Sequence, residues 1–262
     1  RDHFVPLYER WRQEHVAGGG PIMAPALDLL DVRLDVVRGK LPTMLEGHAP
    51  LVIVSNHPFG ILDGFAALSL AEALGRPYRV LIHKDLVKVP EIGPYALPIN
   101  FEETKQAQAE NIQVRKQALE LLREGTTIVV FPAGGVATSP TTFGRAVDLP
   151  WKTFTARMIT ASQAQVLPLY FEGQCSPLFQ FISRYSLTLR LSTILREFRK
   201  RVGQPLRVHI GELITYDEIE ASVGRDRKAL MALLYDRVHA MSDMPPDEVR
   251  ARMARLPAYL RG

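Results

Sequence analysis

Val52-Ile53-Val54-Ser55-Asn56-His57-Pro58-Phe59-Gly60-Ile61-Leu62-Asp63-Gly64 is the stretch on which the reading of this chain turns. It opens as a short β-branched run, the pattern of a buried strand. Pro58 and Gly60 break that run. Beyond them Leu62, Ala66, Leu70 and Ala73 recur at helical spacing until Gly75, a good helix-terminating residue. A histidine therefore sits where a strand ends, and an aspartate sits in the first turn of the next helix. The helix dipole favours a carboxylate there. If Asp63 folds back onto His57, it fixes the imidazole tautomer and leaves the other ring nitrogen free as a base. A loop histidine and a dipole-matched aspartate are the plainer reading of the same residues.

Outward from this stretch, the spacing predicts an amphipathic helix over residues 1–20 that stops at Gly18-Gly19-Gly20, and a second helix over 22–38. Strands are expected at 51–54, 79–82, 126–131, 166–171 and 206–210. Helices are expected at 105–123, with Ile112, Leu119 and Leu122 facing inward, and at 151–162, 184–202, 225–241 and 247–256. The Pro-punctuated segment 86–101 reads as loop with short helical turns. This alternation predicts an α/β fold, a single domain with a mixed, mostly parallel sheet flanked by helices. The expected divisions are N-terminal helices at 1–44, a core at 45–215 and C-terminal helices at 216–262. In such sheets active residues collect at the strand C-terminal ends. His57, Lys84, Pro132–Gly135 and Glu172-Gly173 all stand just past a predicted strand.

The 262 residues are 47% hydrophobic and 23% charged, enough for a sizeable core without disulfide or metal support. The lone Cys175 excludes an intramolecular disulfide and a cysteine-based zinc site, and no metal-ligand spacing is present. No apolar run reaches the roughly 18 residues of a membrane-spanning helix. The first residue is Arg1, which leaves room for a trimmed N-terminal anchor. The net charge of +4 suits an anionic membrane surface, an acidic carrier protein or nucleic acid, but no nucleic-acid recognition motif is present.

The stretch Asn56 to Gly64 resembles the His/Asp block of the glycerolipid acyltransferases, the lysophosphatidic acid acyltransferase (PlsC-like) superfamily. Three further blocks follow in that family's order. They are Lys84-Asp85-Leu86 with Pro90 and Gly93, Phe131-Pro132-Ala133-Gly134-Gly135-Val136-Ala137, and Val166-Leu167-Pro168-Leu169. The likeness covers about residues 45–215 and is closest to the hemolysin-like branch, which includes lyso-aminolipid acyltransferases. There are two departures. Five residues, Pro58 to Leu62, separate the histidine and aspartate where the family has four. Gly60 is the residue able to absorb the extra one. Ala133 and Val136 stand where the family's third block has its glutamate and arginine, the block that holds an acceptor's phosphate.

The resemblance implies an O-acyltransferase that moves a fatty acyl group from an acyl thioester, carried by coenzyme A or acyl carrier protein, to a lyso-lipid hydroxyl. It implies no cofactor and no metal. His57 would be the base and Asp63 its orienting partner. Asn56, Lys84, Phe131, Pro132, Gly134, Gly135, Trp151 and Lys152 would contact substrate. Lys84 reads equally as a solvated lysine, and the plainer reading of Trp151-Lys152 is a helix start with one core aromatic. Because alanine and valine cannot hold a phosphate, a lyso-aminolipid acceptor resembling lyso-ornithine lipid is expected. A lysophosphatidic acid acyltransferase and a non-catalytic lipid-binding protein are the alternatives. Arg190, Arg196, Arg199, Lys200 and Arg201 lie on a predicted amphipathic helix opposed only by Glu197. That pattern fits a peripheral protein docked on the cytoplasmic face of the cell membrane, an acyl-carrier docking site, or a helix packing on the sheet.

Overall fold

The structure, a computed structural model, describes residues 4–43, 45, 48–84, 89–100, 104–185 and 187–261. Its strands are β1 (Leu34–Arg38), β2 (Leu51–Ser55), β3 (Tyr78–His83), β4 (Ala96–Ile99), β5 (Thr127–Val130), β6 (Gln165–Phe171) and β7 (Leu206–Ile210). The helices are α1 (Phe4–Trp11), α2 (Met23–Leu29), α3 (Ile61–Glu72), α4 (Lys105–Arg123), α5 (Phe154–Ser162) and α6 (Pro177–Ile182). They continue with α7 (Leu187–Arg201), α8 (Tyr216–Val223), α9 (Arg227–His239), α10 (Pro246–Ala254) and α11 (Ala258–Arg261). The strands form one sheet in the order β1-β7-β6-β2-β5-β3-β4. Every neighbouring pair is parallel except β6 with β7.

β2 is central and buried along its whole length, which is why it reads as an unbroken apolar run. Its side chains alternate between two cores. Leu51 and Ile53 face α2, α3 and the inner side of α7, with Leu62, Ala66, Phe171 and Phe179. Val52 and Val54 face α4, α5 and α9, with Leu122, Ile128, Met158 and Leu234. A third, smaller cluster of Ala133, Val147, Leu149, Tyr235, Met244 and Val249 lies beneath the glycine loop that follows β5. The C-terminal helices thus support that loop.

The structure corrects several expectations. Residues 22–38 are not one helix: α2 ends at Leu29, Asp31 takes a left-handed conformation (φ 51°), and Leu34–Arg38 forms β1. The pair Val36-Val37 favours the strand. Ile112 on α4 is exposed, and Ala107, Val114, Ala118 and Leu122 make its buried face instead. Ala96–Ile99 is a strand at the sheet edge, where Pro98 costs little. The expected helix at 184–202 is α7, and a short helix not expected from the spacing, α6, precedes it with Ser176 capping its first turn and Pro177 at its start. Of the second block, Asp85 and Leu86 lie outside the described residues.

Candidate active site

Five residues after β2 the backbone reverses at Gly60, whose φ of 83° and ψ of −89° suit only glycine. That turn absorbs the additional residue between histidine and aspartate. Asp63, fully buried in the first turn of α3, accepts the Phe59 N–H through Oδ2 at 2.9 Å. Its Oδ1 faces His57 Nδ1 at 3.2 Å. Neither of these two atoms has another hydrogen-bond partner. Their alignment departs from a linear hydrogen bond, as catalytic pairs commonly do before substrate tightens them. Phe59 beneath the turn is buried, and a Cβ at Gly173 would lie 2.6 Å from its Cζ. Gly173 is therefore what lets the turn seat against the end of β6.

His57 is held from three sides. Its N–H donates to Asp148 Oδ1 at 3.0 Å, its carbonyl accepts the Ala137 N–H at 2.7 Å, and its ring lies 4.2 Å from that of Phe131. The other Asp148 oxygen accepts the Trp151 indole N–H at 2.9 Å. No protein group among the described residues bonds Nε2, which is left for a substrate proton. Burial works against the charged imidazolium, but the Asp63 carboxylate, with Asp148 behind it, outweighs this and holds the His57 pKa above its ordinary value. Arg190 opposes the rise from further off. Burial pushes the Asp148 carboxyl up, and it lowers His239, whose ring stacks on Tyr235 and whose Nδ1 bonds the Tyr235 carbonyl at 2.8 Å.

Asp148 was not legible as a site residue. Asp148 and Trp151 are three apart, a local pairing visible in sequence, but nothing there says that the carboxylate meets a backbone 91 residues away. A base must be neutral to accept a proton, so kcat/KM should fall as pH drops through a His57 pKa that lies above the usual histidine value. In Asp148→Asn the acid limb should move to lower pH, because one of the two supporting charges is gone. A pH profile of kcat/KM for both proteins checks this, and an unmoved acid limb would remove Asp148 from the electrostatics of His57.

The glycine loop follows β5. Gly134 has φ 67° and turns its N–H back onto the Phe131 carbonyl at 2.9 Å, so that N–H is not free to meet a substrate oxygen. The N–H groups of Gly135 and Val136 have no acceptor among the described residues. Val136 packs on the turn, its Cγ2 being 3.1 Å from where a Cβ on Gly60 would stand. Pro132 is buried, and its carbonyl accepts the Lys152 N–H at 3.0 Å.

The other expected substrate contacts divide. Asn56 is spent on structure: its side chain donates to the Phe171 carbonyl at 2.8 Å and accepts the Phe171 N–H at 2.7 Å, closing β2 onto β6. Trp151 is tied to Asp148 and packs edge-on against Tyr235, 5.4 Å between centroids. Lys152 is exposed, although desolvation by the groups around its stem lowers its pKa. Lys84 stands one residue past β3 at the same end of the sheet as His57. Cys175 is buried, its Sγ 3.3 Å from the Pro58 carbonyl, and burial raises its thiol pKa, which leaves it inert.

The basic helix is not one docking face. Arg196, Arg199 and Lys200 are exposed. Arg201 instead lies over the Phe59 ring at 4.3 Å and donates to the Pro205 carbonyl. Arg190 is only 3% exposed and turns inward to Val136 and Thr138, so it is no membrane contact.

This histidine–aspartate geometry at the end of a mostly parallel sheet coincides with an acyltransferase family model matched by residues 43–231. The chain belongs to that acyltransferase family. It is 29% identical over 166 residues to a lyso-glycine lipid O-acyltransferase of Phocaeicola vulgatus, an overlap of 62% of this chain and 54% of the relative. The chain thus spans about half the length of this curated relative. The fold is similar to that of the crystal structure of the 1-acyl-sn-glycerophosphate (LPA) acyltransferase, PlsC, from Thermotoga maritima. The TM-score is 0.55 at 16% identity, covering 91% of this chain and 84% of that one.

Proposed function

We propose that the chain moves a fatty acyl group from an acyl thioester to the hydroxyl of a lyso-aminolipid, as a step in bacterial membrane lipid synthesis. The observation that carries this reading is the His57–Asp63 pair at 3.2 Å with Nε2 open, in a family of acyltransferases. An alcohol is a poor nucleophile at neutral pH, and His57 Nε2 takes its proton as the oxygen attacks the thioester carbonyl. Asp63 stabilises the imidazolium that forms, as the carboxylate does in a Ser-His-Asp triad. The N–H groups of Gly135 and Val136 are the donors available to the developing oxyanion. Collapse of the tetrahedral intermediate breaks the C–S bond, and the imidazolium returns its proton to the departing thiolate. No cofactor or metal enters this scheme, and the donor is a coenzyme A or acyl carrier protein thioester.

The lyso-aminolipid acceptor rests on two supports. The glycine loop carries Ala133 and Val136, which give a phosphomonoester dianion neither a cation nor a side-chain donor. The relative from Phocaeicola vulgatus carries a lyso-aminolipid in its name. The test is kcat/KM for a lyso-aminolipid and for lysophosphatidic acid under one donor. The expected ratio favours the aminolipid, and a ratio favouring lysophosphatidic acid would reject this acceptor.

The site of action proposed is a membrane surface, reached peripherally from the cytoplasmic side. No helix among the described residues is long and apolar enough to cross a bilayer. Arg196, Arg199 and Lys200 stand exposed on α7 beside Leu189 and Leu195, which are 56% and 61% exposed. Each cation near an anionic leaflet contributes about 1 kcal/mol. Reversing Arg196, Arg199 and Lys200 to glutamate should reduce turnover on anionic vesicles several-fold more than turnover of detergent-dispersed substrate. Equal losses in the two assays would assign this face to donor docking instead.

A further inference from the structure

Arg190 is a buried cation with no anionic partner among the described residues. Its guanidinium comes from the inner face of α7 and lies against the glycine loop. Nη1 donates to Thr138 Oγ1 at 2.8 Å, Nη2 donates to the Val136 carbonyl, and the group rests over the Phe179 ring at 5.4 Å. All of these partners are neutral. Buried charges are ordinarily paired, yet no carboxylate forms an ion pair with Arg190 among the described residues. The buried acids nearby are already engaged. Glu197, further along α7, holds the Ser176 N–H and hydroxyl at 2.7 and 2.6 Å. Asp63 faces His57 and Phe59, and Asp148 holds His57 and Trp151.

The guanidinium keeps donors to spare beside the glycine loop. A guanidinium has five N–H donors, and only two of its bonds to protein acceptors occur among the described residues. A Cβ at Gly135 would come within 3.6 Å of Nη2 and 3.1 Å of Leu149, so glycine is what lets the loop backbone run this close to the cation. The unpaired N–H groups of Gly135 and Val136 belong to the same loop. The field of Arg190 reaches His57, which places the cation in the same electrostatic site as the base. Burial lowers its pKa to about 10, so it remains charged at neutral pH.

We propose that Arg190 is a specificity residue for the acceptor: it receives an oxyanion, a carboxylate or phosphate carried on the lyso-lipid head, between its guanidinium and the Gly135–Val136 backbone. This rests on the acyl-transfer reading and adds to it the requirement of a negatively charged acceptor. It also reassigns the cation of the site from the glycine loop to a helix far along the chain.

The experiment compares acceptors that differ only in that charge. One pair is an N-acyl amino acid bearing a free hydroxyl, with its carboxylate intact or as the methyl ester. A second pair is lysophosphatidic acid and the matching monoacylglycerol. The quantity read is the ratio of kcat/KM for the charged over the neutral member, measured for the wild type, Arg190→Lys and Arg190→Met. Because both members are assayed on one preparation, loss of folded protein cancels. The wild-type ratio should be about 10–100, the span of a hydrogen bond to a charged group. It should fall to about 1 in Arg190→Met and be partly kept in Arg190→Lys, with the donor KM unchanged. If Arg190→Met loses activity but keeps the wild-type ratio, the guanidinium only braces the loop and the proposal is overturned. A rise in donor KM at an unchanged ratio overturns it too, because the cation then meets the donor's phosphates. If the phosphate pair alone is turned over and shows the expected pattern, Arg190 stands while the aminolipid reading fails.

Discussion

His57→Ala lowers kcat/KM for lyso-lipid acylation by about 10²–10⁴-fold, the range of a lost general base, while the protein stays folded. His57 is in a loop at the end of β2, its side chain 17% exposed, and no core cluster includes it. What the substitution removes is the ring contact with Phe131 and the partner of Asp63. The backbone bonds to Asp148 and Ala137 remain. Circular dichroism and a thermal melt alongside the kinetics separate lost chemistry from lost structure. Turnover within a few-fold of wild type by a folded His57→Ala protein would remove the histidine from the mechanism.

Asp63→Asn is expected to cost about as much, although it deletes no atom. One carboxylate oxygen, Oδ2, accepts the Phe59 N–H, and the other, Oδ1, faces His57 Nδ1 at 3.2 Å. An amide keeps one acceptor. With that acceptor on the Phe59 N–H, its NH₂ faces His57 Nδ1 and forces the ring proton onto Nε2, the nitrogen that should be empty. The amide also carries no charge to stabilise the imidazolium, and the loss should approach the roughly 10⁴-fold seen when a triad aspartate becomes asparagine. The acid limb of the pH profile should also move down, since Asp63 is the strongest influence raising the His57 pKa. A mild Asp63→Asn phenotype would mean that another group orients the ring. The backbone bond to Asp148 gives that outcome a named alternative to test.

The parts of the molecule that sequence makes legible are those fixed by local pattern. β2 is buried on both faces, so its residues form one apolar run. α4 carries a Thr104 cap and stops at Gly125, whose φ is 87°, and β7 is bounded by the residues its spacing predicts. The His57–Asp63 pair was legible because turn and helix lie within seven residues of one another in the chain and Gly60 tells where the backbone reverses. α8 went unread although its signal is present: Thr215 and Glu218 form a capping box.

What stayed hidden depends on long-range packing. A β-branched pair, Val36-Val37, beside leucines at helical spacing fits two periods, and only the neighbouring β7 decides for a strand. Asp148 and Arg190 meet the site across 91 and 54 residues, through a backbone N–H and a backbone carbonyl. Main-chain groups carry no side-chain identity, so no pattern of residue types announces such contacts. Arg190 was read with its exposed neighbours because charge runs suggest a solvated face. Nine residues along the helix from exposed Arg199, it lies on the opposite side and points into the protein.

The central claim is that the acceptor hydroxyl itself attacks the thioester, with His57 as its base and no acyl-enzyme between. A single-turnover experiment tests this most directly. Stoichiometric labelled acyl thioester is mixed with the protein, with and without lyso-aminolipid, and the label is followed by intact-protein and lipid mass spectrometry. The account predicts that the label passes to the lipid hydroxyl only when acceptor is present, and that the protein never gains the acyl mass. An acylated protein that forms without acceptor and then delivers its acyl group to the lipid would contradict it.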